Sequence, residues 1–99
     1  MSVDRPALAA PLRRRLRIVN AKGLHARASA KFVETVERFD ACATVGKDGM
    51  EVDGGSIMGL LMLAACKDSA IAVETRGPQA KALMEALDAL VADRFGEES

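Results

Sequence analysis

"GLHARASAKFVETVERF", residues 23 to 39, decides how the chain is built, because it joins a turn to a one-sided apolar run. From Ala26 onward apolar groups recur at Ala28, Phe32, Val33, Val36 and Phe39, the three-and-four spacing of an amphipathic helix. Glu34 and Arg38 stand four apart on the opposite side, where an ion pair between successive turns supports a wet face. The spacing predicts a helix over 26–39. A helix with one dry stripe must cover a second layer, and Gly23 marks the turn that brings it there.

The neighbouring segments supply that layer. Upstream, "LRRRLRIVN" (12–20) alternates, with Leu12, Leu16 and Ile18 on one side and Arg13, Arg15 and Arg17 on the other, as a half-exposed strand requires. Downstream, "ACATVGKDGMEVD" (41–53) holds two short β-prone runs about Asp48-Gly49, a tight hairpin with Ala43 and Val45 inward. "GGSIMGLLMLAAC" (54–66) follows, with Ser56 as N-cap and Ile57, Leu60, Leu61, Ala64 and Ala65 at helical spacing. "SAIAVET" (69–75) is a fourth strand with Ile71 and Val73 inward. Pro78 is then expected at the first position of a last helix, whose stripe is Ala80, Leu83, Met84, Leu87, Leu90 and Val91. The order βαββαβα predicts an α+β fold: a four-stranded antiparallel sheet with three helices on one face. Residues 1–11, rich in Ala and Pro, read as a flexible arm, 12–96 as the domain, and 97–99 as an acidic tail.

Ninety-nine residues with 49% hydrophobic content suit a single core. Lys+Arg and Asp+Glu both total 14, which argues against a general polyanion binder, yet residues 1–40 hold nine basic and four acidic side chains and 41–99 hold five and ten. The basic half could meet an acidic partner. An RNA-binding module on Arg13, Arg14 and Arg15 is one rival reading, but with no Tyr or Trp and three Phe the chain lacks stacking platforms, so no nucleic acid is expected. A second rival is a small-molecule-sensing regulatory domain of the βαββαβ type, which would form a dimer and need no covalent step. Cys42 and Cys66 have no metal-ligand spacing, so no metal and no cofactor are expected. The start lacks the apolar core of a signal peptide and no segment approaches spanning length; a cytoplasmic protein without membrane insertion is expected.

His25 is the only histidine. If it caps the helix beginning at Ala26, the backbone N–H groups of Ala26 and Arg27 point toward its ring, a place that favours anions. The same positive end disfavours imidazolium and leaves a neutral nitrogen able to attack phosphorus. Arg27 adds a guanidinium whose fork matches phosphate oxygens. No second histidine or orienting acid is evident for hydrolysis, so the expected chemistry is acceptance and donation of a group.

"GLHARASAKF", followed by "SIMGLLML" and "VETRGPQAKAL", resembles the HPr family, the small phosphocarriers of the bacterial phosphotransferase system, from about Leu12 to Val91. That resemblance implies an HPr-like open-faced β-sandwich. It implies phosphorylation of His25 at Nδ1 by phospho-enzyme I, transfer to a histidine of an enzyme IIA, and Arg27 as the arginine that steadies the phosphoryl group. Ile57, Met58, Leu61 and Met62 would form the docking patch, with Lys22 or Lys31 on a charged rim, and the protein would be a monomer. Ser56 resembles the serine modified by HPr kinase/phosphorylase in some members. Three features depart or divide: Ala28 stands where the family usually has proline, Gly55 replaces a frequent lysine, and "LLML" with "VETRGPQ" resembles the nitrogen-related (NPr) branch at least as closely as the sugar branch.

Overall fold

The computed structural model describes residues 11 to 99. In chain order the elements are β1 (Leu12–Arg17), α1 (Ala26–Glu37), β2 (Cys42–Lys47), β3 (Met50–Asp53), α2 (Ile57–Met62), β4 (Ala70–Arg76) and α3 (Ala80–Ala92). All four strands join one antiparallel sheet in the order β1-β4-β2-β3. The expected α+β architecture is the observed one. Of the arm expected over 1–11, residues 1–10 lie outside the described residues.

Alternation along the strands decides which face is covered. Leu16, Ala43, Val45, Ile71 and Val73 are buried on one side, where Phe32, Val33 and Val36 of α1, Leu60 of α2, and Leu83, Met84, Leu87 and Val91 of α3 complete the core. At the hairpin, Asp48 and Gly49 have φ of 52° and 83°, the paired positive angles that a two-residue turn between twisted strands requires. The other face stays open. There Arg13 pairs with Glu74 at 3.1 Å and Arg17 with Asp68 at 3.0 Å, while Arg14 turns to Asp88 of α3 at 2.6 Å. Hydrogen bonds from Arg76 and then Arg13 outweigh desolvation and hold the Glu74 carboxyl below its ordinary value. Three arginines of the β1 run are thus tied to carboxylates, which breaks up the positive stripe that the sequence carries.

Four local expectations are corrected. Leu12 is exposed, because it opens an edge strand at the margin of the helical layer. The first helix ends at Glu37, and Phe39 reaches the core from the following turn. The second helix stops at Met62; Ala64 adopts φ of 51°, and the chain turns so that the buried Ala65 offers its carbonyl to Leu24 N–H at 2.9 Å. Pro78 lies before the cap of α3 and not within it, since Gly77, with φ of 114°, packs against Ala41 and leaves Gln79 as N-cap, its Oε1 accepting from Asp40 N–H.

Candidate functional site

The site is assembled by the turn that precedes α1. Gly23 has φ of +65°, and a Cβ there would lie 2.3 Å from the Ala65 carbonyl oxygen, so only glycine fits. Buried Asn20 clamps the turn from inside, its Nδ2 donating to the Gly23 carbonyl at 2.9 Å. Leu24 is buried, and its carbonyl accepts from Ser29 Oγ at 3.2 Å. With both flanks fixed, His25 becomes the N-cap of α1, with extended backbone and its carbonyl accepting from Ser29 N–H at 2.8 Å.

The ring has two distinct edges. Nδ1 accepts from Arg27 N–H at 3.2 Å, so it carries the lone pair. Nε2 meets a carboxylate oxygen of Glu97, so it carries the proton. The Nδ1 contact is at the long end of the N–H···N range, which orients the lone pair without holding it tightly. A cleft of about 500 Å³ opens beside it, lined by Lys22, His25, Arg27, Lys31, Gly96 and Glu97 among others. The Arg27 side chain is exposed and has no carboxylate partner among the described residues. Ala26 is exposed at the same helix end, and Ala28 is fully buried beneath it. A helix N-terminus, a guanidinium without a carboxylate partner among the described residues and a ring nitrogen thus meet at one open volume, a setting suited to an oxyanion attached to nitrogen.

The back of the cleft is made by the chain end, which the sequence reading took for a tail. Phe95 is wholly buried and reached through successive positive φ angles at Arg94 (57°), Phe95 (55°) and Gly96 (79°). Such left-handed geometry costs roughly 1–2 kcal/mol at each non-glycine residue. Burial of a phenylalanine, at about 1.5–3 kcal/mol, offsets much of it. Lys31 Nζ donates to the Phe95 carbonyl at 2.6 Å, and Ala21 N–H donates to the Ser99 carbonyl oxygen at 3.1 Å. Glu97 is held at two oxygens, by Asn20 Nδ2 at 3.0 Å and by His25. Desolvation acts to raise its pKa, but hydrogen bonds from Asn20 and His25, with the charges of His25 and Lys22, prevail and lower it. Sequence reasoning missed Asn20 and Glu97. The available signal was Phe95, one of three phenylalanines, placed next to a glycine near the chain end where only burial would explain it.

The second region singled out from the sequence lies at α2. Ser56 caps it, with Oγ accepting from Gly59 N–H at 3.0 Å. Ile57, Met58 and Met62 are exposed, Leu61 is half-buried and Leu60 is fully buried. Helix α2 packs on α1, the helix that His25 caps. Among the described residues no group of three or more His, Cys, Asp or Glu could hold a metal ion, Cys42 and Cys66 are exposed free thiols, and no helix is long and apolar enough to cross a membrane.

A family model described as "PTS HPr component phosphorylation site" matches residues 12–93. The phosphocarrier protein HPr of Cupriavidus necator is 46% identical over 86 residues, spanning 87% of this chain and 97% of that protein. Among solved structures, HPr-C-His from Thermoanaerobacter tengcongensis matches with a TM-score of 0.85 and 33% identity, over 89% of this chain and 99% of that one. A phosphocarrier protein HPr from Bacillus anthracis matches with a TM-score of 0.79 and 39% identity, over 83% and 98% of the two chains.

Proposed function

The chain belongs to the HPr family of phosphotransferase-system phosphocarriers, and from that premise we propose that His25 is its phosphorylated residue, receiving a phosphoryl group at Nδ1 from phospho-enzyme I and passing it to a histidine of an enzyme IIA. The observation that carries the assignment is the orientation of the ring: Nδ1 presents its lone pair at an open helix mouth while Nε2 is bound from behind. In the forward step the Nδ1 lone pair forms the new N–P bond as the donor's N–P bond breaks, and that electron pair returns to the donor's imidazole. The N–H groups of Ala26 and Arg27 then donate hydrogen bonds to the phosphoryl oxygens, and the Arg27 guanidinium balances their charge. No water is activated, which suits a carrier that must keep the group until a partner docks.

Ile57, Met58, Leu61 and Met62 form the apolar surface on which enzyme I and enzyme IIA dock in turn. Pliable methionines serve one surface that fits several partners. Lys22 and Lys31 stand beside the site as its basic rim. Ser56 is the regulatory position: a phosphate placed there by HPr kinase/phosphorylase would be tolerated by the helix end, yet would put negative charge on the docking patch and slow exchange with an acidic partner. The protein acts as a cytoplasmic monomer. The receiving enzyme IIA belongs to either a sugar-uptake or a nitrogen-related regulatory branch, and the cheapest discrimination is to offer the phosphorylated chain to one of each and follow which drains the label.

Incubation with labelled phosphoenolpyruvate and enzyme I tests the assignment. Acid-labile label on the parent and none on His25→Ala is expected. Label that persists in His25→Ala places the chemistry elsewhere.

A further inference from the structure

The carboxylate behind the histidine has a use that positioning the chain end does not require. Glu97 Oε2 meets His25 Nε2, the ring nitrogen other than the one that caps the helix, and its other oxygen is gripped by Asn20. Asn20 is fully buried and gives both Nδ2 hydrogens to this arrangement, one to Gly23 and one to Glu97. Its Oδ1 has no hydrogen-bond partner among the described residues. A buried amide that forgoes one bond to hold a turn and a carboxylate together marks the pair as a built feature.

We propose that Glu97 is a positioning residue for phosphoryl transfer, holding the proton on His25 Nε2 through both halves of the cycle so that Nδ1 attacks as a nucleophile and later departs as neutral imidazole. The inference rests on the reading of His25 as the phosphorylated residue. When Nδ1 bonds to phosphorus, the ring becomes cationic, and the positive charge spreads to Nε2–H. Of the charged groups that line the same cleft, Glu97 and Glu98 are anionic and Lys22, Arg27 and Lys31 cationic. Only Glu97 touches the proton. Were that proton lost, onward transfer would have to expel an anionic imidazolate, a far poorer leaving group. With it kept, the N–P electron pair returns to Nδ1 and a neutral ring is regenerated with no proton having moved. Glu97 remains a carboxylate throughout.

The test uses the full chain phosphorylated by enzyme I and phosphoenolpyruvate, with ring nitrogens followed by NMR across pH, for the parent and for Glu97→Gln and Glu97→Asp. Glu97→Gln keeps the shape and the Asn20 contact but removes the charge. The phosphorylated ring of Glu97→Gln should lose its proton about one pH unit lower than the parent's, a tenfold loss of proton affinity. Its transfer to enzyme IIA above neutral pH should slow in the same proportion, with Glu97→Asp restoring part of both. Identical ring titrations in the parent and Glu97→Gln, with label on His25 in each, overturn the inference and leave the carrier assignment standing. Absence of label from His25 in the parent overturns both. A merely structural role for Glu97 would lower the melting temperature without moving the ring's titration.

Discussion

Among the described residues two helix mouths are capped by a side-chain acceptor, and they differ in what stands behind the cap. At α1 the acceptor is His25 Nδ1, which takes the N–H of Arg27 at 3.2 Å, and its ring is pinned on the far side by Glu97. At α2 the acceptor is Ser56 Oγ, which takes the N–H of Gly59 at 3.0 Å, with exposed Ile57 and Met58 beside it. A hydroxyl can rotate about its own bond and is both donor and acceptor, so as a cap it only satisfies the helix. An imidazole held at one nitrogen offers a fixed lone pair at the other. On the proposed reading, the same local device, a side chain closing a helix end, carries the reactive group only at the mouth where a carboxylate arrives from the far end of the chain.

That contrast can be broken by exchanging what each cap loses. His25→Ala should abolish acceptance of phosphate from enzyme I, whereas Ser56→Ala should leave labelling in place, which a single labelling assay on both variants checks. Arg27→Ala removes a charge-assisted contact of about 1.5–3 kcal/mol. Stopped transfer assays should show transfer slowed by roughly tenfold to a hundredfold, with the thermal unfolding curve nearly unchanged because the side chain is exposed. Unfolding at markedly lower temperature would instead make Arg27 a structural residue. Ser56→Asp retains a capping oxygen while placing a charge beside Ile57. It should slow phosphorylation by enzyme I by on the order of tenfold, more at low salt than at high, since the effect acts on encounter.

Smaller effects sharpen the comparison. Ser56→Ala should cost about 1 kcal/mol of stability, measured by denaturant unfolding, the ordinary worth of a lost N-cap. The carboxylate at the other mouth adds a pH dependence. Because the folded state lowers the Glu97 pKa, its stabilising contribution is complete above the ordinary carboxylate value of 4.5 and is lost as pH falls through the lower folded value. The difference in melting temperature between the parent and Glu97→Gln should be full at neutral pH and shrink below about pH 4; a difference that grows on acidification contradicts the assigned sign.

The sheet, the hairpin and three helices were legible because each announces itself within ten or fifteen residues. Alternation in "AIAVET" and the stripe through Phe32, Val33 and Val36 need no distant partner to be read. The place of His25 was legible for a related reason: a glycine turn followed by a helix start puts it at the cap, although the residue alone reads as readily as an ordinary capping side chain, and only Arg27 and the apolar second helix beside it single it out. What failed to show locally was anything set by long-range contact. Ala64 and Ala65 continue a helical spacing, yet the chain leaves the helix to bring the Ala65 carbonyl to Leu24 N–H. Pro78 fits a first turn by its own φ, but Gly77 against Ala41 moves the start of α3 onward. Glu97 lies 72 residues from His25 and reaches it only because Phe95 plugs into the core through three left-handed residues. Beyond Phe95 beside Gly96, no local pattern marks that return. The tail is thus the part of the site that composition alone describes least well.

The central claim is that His25 offers Nδ1, and not Nε2, to phosphorus. Long-range proton–nitrogen NMR of the uniformly nitrogen-15-labelled chain, recorded before and after treatment with enzyme I and phosphoenolpyruvate, tests it directly. The account predicts phosphorus coupling at Nδ1 with a proton retained on Nε2. Phosphorus on Nε2, or an imidazole spectrum unchanged while the protein carries label, would contradict it.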